Sequence, residues 1–192
     1  MTSTKEQPPF TEPGRYPADM ETWRSFKGRR LFARPLRITD AERLLTFFHT
    51  HNPDTIYGRY QYAKKTMPPE EAVRLCTLDY RETFALGVFR GDGEDDPLVA
   101  IGRYIRNEAG YAETALVVHE DFRRRGIASW LLERMRFHAT RSGIIGFYGE
   151  FAPGNAGIVA LHRKLGHYVM LDDDAGAYGY VQTFGKVEKG RA

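Results

Sequence analysis

The sequence contains a single cysteine, Cys76, among its 192 residues. One thiol excludes an internal disulfide framework and any zinc site built from several cysteines, and it suits a reducing compartment such as the cytoplasm. Cys76 lies among apolar residues of a predicted helix, so we expect a buried, unreactive side chain. His49 and His51 have no cysteine nearby and no further histidine at ligand spacing, so we expect no metal site.

Long apolar runs are also missing. No stretch approaches the roughly 18 residues of a membrane span, and the first residues contain no apolar segment typical of a signal peptide. The net charge of +3 and the pI near 9.0 favour an anionic ligand, but they are too mild for a typical nucleic-acid-binding protein. We therefore expect neither a membrane nor a nucleic acid as partner.

The remaining composition is that of a soluble folded chain, with 42% hydrophobic, 13% aromatic and 28% charged residues. Four prolines and few aliphatic residues occur before residue 30, which predicts an extended N-terminal arm over residues 1–30. Regular hydrophobic patterns begin at Leu31. Residues 31–192 are therefore predicted to form one domain.

Hydrophobic periodicity predicts a mixed α/β (α+β) fold with helices on the faces of a sheet. Turn-like separators between the middle strands indicate an antiparallel meander, which alternating helices and strands follow. The predicted strands cover residues 31–38, 83–89, 97–105, 109–118, 144–151, 168–172 and 177–184. The predicted helices cover residues 41–50, 68–78, 126–141 and 155–165.

The junction between strand 109–118 and helix 126–141 carries the clearest chemical signal. A helix N-terminus offers unpaired N–H groups and a partial positive charge, and Gly126 allows a backbone turn that aims several amides at one anion. Small Ala128 permits close approach. We therefore predict a phosphate or pyrophosphate cradle over residues 123–129. Its members are Arg123, Arg124, Arg125, Gly126, Ile127, Ala128 and Ser129.

Two alternatives to this cradle exist. Three consecutive arginines are often just a solvated run of charge, and that interpretation stays open for the side chains. Neither GxGxxG nor GxxxxGK[ST] occurs in the sequence, which counts against a dinucleotide-binding Rossmann site and against a P-loop. A different phosphate-bearing ligand is needed.

The pattern Arg123-x-x-Gly126-x-Ala128 resembles the acyl-CoA pyrophosphate motif of the GNAT superfamily of N-acyltransferases. Upstream, the run RPLRITDAERLLTFFHTHNPDTIYGRY, followed by LDYRETFALGVF and AETALVV, resembles the acetyltransferase domain of bacterial protein lysine acetyltransferases, which modify acyl-CoA synthetases. The resemblance implies a GNAT-like, mostly antiparallel sheet of about seven strands flanked by helices on both faces. It also implies acetyl-CoA as co-substrate and no metal.

The segment NAGIVALHRKLGH resembles the second signature of the family, in which an asparagine opens a helix that ends in Lys-Leu-Gly. Asn155 is therefore a candidate CoA-binding residue, and it is equally suited to cap the helix. In this signature a tyrosine often protonates the leaving thiolate, and His162 stands at the matching position. Because His162 shares the apolar stripe of Ile158 and Leu165, we expect it to pack in the core.

The resemblance further implies that the strand before the cradle splays from its neighbour and binds the pantetheine arm through Leu116, Val117 and Val118. A backbone N–H near Val117 would meet the oxyanion. Glu113 matches the glutamate of the family's AE-x-A pattern and is the candidate general base, because an ammonium group must lose a proton before it attacks a thioester. We expect apolar neighbours around this carboxylate. An ordinary polar residue on a half-exposed strand is the alternative.

The sequence thus predicts transfer of an acetyl group from acetyl-CoA to a primary amine by direct attack. A protein lysine, for example of an acyl-CoA synthetase, is the preferred acceptor, and a polyamine or antibiotic amine is the alternative. A non-catalytic acyl-CoA sensor is a second class, and a nucleic-acid binder that uses the basic arm is the weakest. We expect a monomer or a homodimer.

Overall fold

The structure is a computed structural model that describes residues 14–93, 95–151, 155–165, 171–172 and 178–184. Its strands are β1 (Thr22–Phe26), β2 (Arg29–Pro35), β3 (Thr83–Phe89), β4 (Leu98–Arg106), β5 (Tyr111–Val118), β6 (Gly146–Phe151), β7 (Leu171–Asp172) and β8 (Tyr178–Thr183). Its helices are α1 (Ala41–His49), α2 (Pro53–Tyr60), α3 (Pro69–Cys76), α4 (Ile127–Arg141) and α5 (Ala156–Lys164).

Within these residues, the strands form one sheet of eight in the order β1-β2-β3-β4-β5-β6-β8-β7. Each neighbouring pair is antiparallel except β5 and β6, which run parallel. Strands β3, β4 and β5 form the predicted meander because short turns join them. The mixed, mostly antiparallel α/β sheet is confirmed.

Helices cover both faces of the sheet, as predicted. Side chains of β3 alternate between two hydrophobic clusters, with Phe84 and Leu86 in one and Ala85 and Phe89 in the other. Helix α4 packs on the first cluster, and helices α1 and α3 pack on the second. Helix α4 buries one apolar stripe against the sheet. It consists of Ile127, Trp130, Leu131, Met135 and Ala139.

The sheet begins earlier in the chain than the sequence predicts. Residues 22–26 of the predicted extended arm form β1, which pairs antiparallel with β2. Lys27 and Gly28 join the two strands with φ angles of 47° and 84°, the left-handed pair typical of a tight hairpin. Phe26 is buried and its ring centroid lies 5.5 Å from that of Trp130. The prediction of an extended arm is therefore wrong for residues 22–30.

Helix α2 is a second element that the hydrophobic pattern did not predict. Asn52 caps it, because its Oδ1 accepts the N–H of Thr55 at 2.9 Å, and Pro53 occupies the first turn. Ile56 is its buried residue. A helix with so little apolar surface leaves no periodic signal.

The structure shows the surroundings of Cys76 and of the potential metal ligands. Cys76 is buried at the end of α3, and burial raises the pKa of its thiol to about 12, which confirms an unreactive side chain. In the described part of the chain, no group of three or more potential ligand side chains is placed to hold a metal ion. None of the helices there is long and apolar enough to cross a membrane.

Candidate functional site

Strands β5 and β6 separate after a short parallel contact. Their pairing covers residues 111–113 of β5 and 146–148 of β6. Beyond it, β5 continues along β4 to Val118, while β6 continues along β8 to Phe151. A gap therefore opens in the sheet beyond Glu113, as the family resemblance implied.

The ladder between β4 and β5 shows which backbone groups face this gap. His119 donates its N–H to the carbonyl of Val99 at 2.9 Å. In an antiparallel ladder, residues whose backbone groups bond to the neighbouring strand alternate with residues whose backbone groups point away from it, so this bond shows which residues of β5 face β4. The backbone groups of Val117 consequently point to β4, whereas those of Leu116 and Val118 point to the gap. An oxyanion donor on this side would therefore come from Leu116 or Val118 rather than from Val117 itself.

The backbone between β5 and α4 forms a concave turn at the mouth of the gap. Arg124 and Gly126 adopt left-handed conformations, with φ angles of 57° and 86°. Among the described residues no side chain caps α4, so the N–H groups of its first turn are available to a ligand. Apart from the chain neighbours of Gly126, no atom of the described residues lies within 4 Å of a Cβ placed there, so the space beside it is open. This arrangement fits a phosphate group.

The three arginines of the cradle point in different directions. Arg124 is exposed, while the Nε of Arg125 is buried and has no hydrogen-bond partner among the described residues. Arg123 folds back towards the sheet, where its Nε donates to the Val118 carbonyl at 3.1 Å and its Nη2 donates to Thr55 Oγ1. The Arg123 side chain therefore holds β5 and α2 together, and the cradle offers an anion mainly backbone N–H groups.

Glu120 extends this connection between α2 and the cradle. Its carboxylate accepts hydrogen bonds from the Thr55 hydroxyl and from the Asn52 N–H at 3.2 Å, and it lies 3.3 Å from His51 Nδ1. Burial alone would raise the pKa of Glu120, but these bonds outweigh it and lower the pKa to about 2. Arg123 lies 3.7 Å away as an ion-pair partner. The segment that leads into the cradle is thus anchored to α2.

Glu113 lies at the apex of the gap, at the last residue of β5 that pairs with β6. Its side chain is exposed, so the apolar surroundings expected for it are not present. Because side chains alternate along a strand, Glu113 lies on the same face of β5 as Ala115 and Val117. On the neighbouring strand β4, Arg103 pairs with Ala115, two residues along β5 from Glu113. The carboxylate is therefore accessible to solvent where the gap begins.

Below the apex, Tyr180 of β8 reaches across to β5. Its hydroxyl forms a hydrogen bond with Thr114 Oγ1, and burial, aided by the charge of Glu113, raises its pKa to about 12. His162 packs against the Tyr180 ring with centroids 3.6 Å apart. Burial lowers the pKa of His162 to about 4, so the imidazole is neutral at pH 7. The expectation that His162 packs in the core is confirmed.

Asn155 begins helix α5, where its Oδ1 accepts the N–H of Ile158 at 3.2 Å. The capping role is therefore present. Helix α2 passes close to this point, because a Cβ on Gly58 would lie 3.6 Å from the Asn155 side-chain nitrogen. Of the predicted Lys164-Leu165-Gly166 ending, Gly166 lies outside the described residues.

An open cleft lies between helices α1–α3 and the face of β4 and β5, with a volume of about 450 Å³ that includes the solvent at its mouth, and we call it the α1–α3 cleft. Val117 and Ile101 line it on the sheet side, so the cleft adjoins the strand that borders the gap. Its walls are mainly aliphatic and aromatic. The side chains with polar groups that line it are His51, Thr55, Arg59, Tyr60 and Arg103.

The sequence did not predict this cleft, because its lining comes from five elements that are far apart in the chain. His51 was weighed only as a metal ligand. Arg59 and Tyr60 end the run that resembles the lysine acetyltransferases, and Arg103 interrupts an apolar run, but neither signal places these side chains in one cleft. Tyr180 was likewise missed. Because Tyr178 and Tyr180 are two residues apart in a predicted strand, the sequence indicates that they share one face of the sheet, but it does not identify the residue that Tyr180 contacts.

Comparison with known sequences places these features in a family. A profile of the Acetyltransferase (GNAT) family matches residues 44–167. Acetyltransferase Pat of Mycolicibacterium smegmatis is 27% identical over 150 residues, which make up 76% of this chain and 44% of that protein. The chain therefore spans less than half the length of that relative.

Solved structures agree with this comparison. The GNAT domain of S. lividans PAT superposes with a TM-score of 0.80 at 25% identity, covering 88% of this chain and all 100% of that one. A mutant of a cAMP-binding acyltransferase from Mycobacterium smegmatis superposes with a TM-score of 0.58 at 23% identity, covering 90% of this chain and 50% of the other. The second likeness shows the fold alone.

Proposed function

The chain belongs to the GNAT family of acetyltransferases, and on that basis we propose that it transfers an acetyl group from acetyl-CoA to a primary amine, preferably a protein lysine. The similarity to acetyltransferase Pat and to the S. lividans domain supports the choice of a lysine acceptor. A polyamine or an antibiotic amine is the competing acceptor.

The observation that carries the proposal is the continuity of the cradle with the gap in the sheet. The uncapped first turn of α4 opens where β5 leaves β6, and Leu116 and Val118 direct backbone groups into the same gap. Acetyl-CoA combines a pyrophosphate with an amide-bearing arm. The cradle would hold the pyrophosphate, and the exposed edge of β5 would pair with the arm.

The reaction would proceed by direct attack. Glu113 would take a proton from the acceptor ammonium, either directly or through one water molecule, and the neutral amine would then attack the thioester carbonyl carbon. The N–H of Leu116 or Val118 would donate to the oxyanion. Collapse would then break the C–S bond and release the CoA thiolate, and the nitrogen would lose its second proton to solvent or to that thiolate as the amide forms. Because His162 is neutral and packed, it is not assigned as the proton donor to that thiolate.

An acceptor screen tests this function. Purified chain and acetyl-CoA would be incubated with lysine peptides, with an acyl-CoA synthetase, with spermidine and with an aminoglycoside, and released CoA thiol would be measured alongside the mass of each acceptor. We expect acetylated lysine in the peptide or synthetase reactions. Turnover confined to spermidine or the aminoglycoside would contradict the lysine assignment. The absence of turnover with every amine would contradict an enzyme.

A further inference from the structure

The α1–α3 cleft contains two arginines and no acidic side chain among its described lining residues. Arg103 enters it from β4 and Arg59 enters it from α2. A cleft whose walls are mainly apolar weakens the hydration of such cations. Two positive charges that share an apolar cleft without a counter-charge favour an anionic occupant.

Arg103 shows this imbalance most clearly. It forms no hydrogen bond or ion pair with any residue in the described part of the chain, unlike Arg34, which binds Asp40 with two bonds of 2.7 Å. Burial lowers the pKa of Arg103 to about 10, and the charge of Arg59 contributes to that shift. Both effects disfavour the guanidinium ion in the absence of a ligand, and a bound anion would reverse them.

The other ionisable groups around the cleft are each in contact with a neighbouring side chain. Lys64 donates to both carboxylate oxygens of Glu71, at 2.5 and 2.7 Å, and His51 lies against Glu120. Arg59 lies over the ring of Tyr60, with its guanidinium carbon 5.0 Å from the ring centroid. This contact orients the guanidinium and leaves its charge uncompensated.

Arg103 lies near Glu113, the proposed general base. It pairs with Ala115 on β5, and Glu113 is the next residue along the same face, roughly 7 Å further on by strand geometry. A ligand that places an anionic group on Arg103 can therefore present a second group near Glu113 and the gap.

We propose that Arg59 and Arg103 form an anion-binding subsite that selects acceptors with a carboxylate close to the amine. A planar carboxylate matches the fork of a guanidinium, and the apolar walls strengthen such a bond. The inference rests on the proposed function in taking the α1–α3 cleft as the acceptor site. The carboxylate can belong to a small amino acid or to an acidic residue beside a lysine.

Isosteric acceptor pairs test the subsite during turnover. One pair is a lysine peptide with aspartate on both sides of the lysine and the same peptide with asparagine. The other pair is 5-aminopentanoate and 5-aminopentanamide. We expect kcat/KM to be about tenfold higher for the carboxylate member of at least one pair, and the pair that shows it identifies the source. Arg103→Gln and Arg59→Gln should each abolish this preference, and Arg103→Lys should retain part of it.

Arg90→Gln is the matched control, because Arg90 is exposed at the end of β3 and lies outside the cleft. It removes one positive charge and should leave the preference unchanged. Thermal unfolding of each variant shows whether the fold is intact. If Arg103→Gln does not fold, Arg59→Gln decides the question from helix α2.

Binding without turnover separates this proposal from the proposed function. Calorimetric titration with glutarate should show binding that Arg103→Gln weakens about tenfold and Arg90→Gln does not change, and neutral glutaramide should not bind. If glutarate binds in this way although no amine is acetylated, the subsite stands and the acetyl-transfer function falls. If isosteric acceptors are acetylated equally, or if glutarate binding does not depend on either arginine, the subsite is wrong and the function is unaffected.

Discussion

The cradle and the α1–α3 cleft border the same strand, but the chain builds them in different ways. The cradle consists of consecutive residues, 123–129, and offers mainly backbone N–H groups that a glycine conformation presents. The cleft is lined by side chains between Leu44 and Val117, from three helices and two strands. In the proposed function, the cradle would bind a feature common to all CoA thioesters, and the cleft would distinguish one acceptor from another.

This comparison predicts that variants at the two regions separate binding from turnover. Changes in the cradle should weaken acetyl-CoA binding. Changes around the cleft and at Glu113 should reduce transfer while acetyl-CoA continues to bind.

Glu113→Gln should produce the largest effect. The substitution keeps the size of the side chain and removes its capacity to accept a proton, so turnover should fall by a factor on the order of 10² to 10⁴. Acetyl-CoA affinity, measured by calorimetry, should change less than about twofold, because Glu113 is not part of the cradle. Glu108→Gln, in the turn before β5, is the control and should keep full turnover. Unchanged turnover in Glu113→Gln would support a direct attack without this base, and turnover absent already in the unaltered chain would support a sensor.

Gly126→Glu should have the next largest effect. A side chain at a φ of 86° is strained, and a carboxylate in the open space beside it repels phosphate, so acetyl-CoA affinity should fall at least about 100-fold. Gly28→Glu is a close control, since Gly28 has a φ of 84° and the same open surroundings in the β1–β2 turn. Both variants should lose similar stability in thermal unfolding. Equal loss of binding in both would show that strain alone explains the result.

Local patterns account for the elements that the sequence predicted correctly. Strands β3, β4 and β5 and helix α4 have strong apolar periodicity, and the cradle lies within a few residues of one glycine. The ends of helices and the positions of left-handed residues are also determined within a few residues, so the local sequence is enough to predict them. The direction of the Arg123 side chain was beyond such rules, because its partner Thr55 lies in a helix that the pattern did not reveal.

Elements with little buried apolar surface were the ones that the sequence missed. Strand β1 has three exposed residues among its five, and α2 buries Ile56 alone. The surroundings of Glu113 were also predicted incorrectly, because the pattern shows which face a strand residue shares but not whether another element covers that face. The cleft requires the packing of α1–α3 to be known, and tertiary packing is not encoded at any single spacing.

Asn155→Asp should have a smaller effect that separates two roles of one residue. Aspartate caps a helix about as well as asparagine, so the free energy of unfolding should change by less than about 0.5 kcal/mol. If Asn155 also contacts CoA, the added negative charge should weaken acetyl-CoA binding about tenfold. Asn155→Ala should instead cost about 1 kcal/mol of stability through loss of the bond to the Ile158 N–H. Unchanged CoA affinity in the aspartate variant would leave Asn155 with its capping role alone.

The smallest effect on turnover is expected at His162, where the family signature has a tyrosine. Burial lowers the pKa of His162 to about 4 from an ordinary 6.5, so the unfolded chain binds a proton that the folded chain does not bind between these values. This contribution to stability is complete above pH 6.5 and is lost as the pH falls to about 4. His162→Phe keeps a ring packed on Tyr180 but removes the titrating group. Between pH 6.5 and about 4 its free energy of unfolding should therefore fall by about 1–2 kcal/mol less than that of the unaltered chain. His49→Phe, at an exposed histidine, should leave the fall as it is. Turnover of His162→Phe at pH 7 to 8 should stay within about twofold of the unaltered chain, since the N–H of a neutral, packed imidazole is far too weak an acid to protonate the thiolate. A hundredfold loss of turnover with an intact fold would show that position 162 acts in the reaction, and the chemistry would then extend from the exposed edge of β5 into the core beneath it.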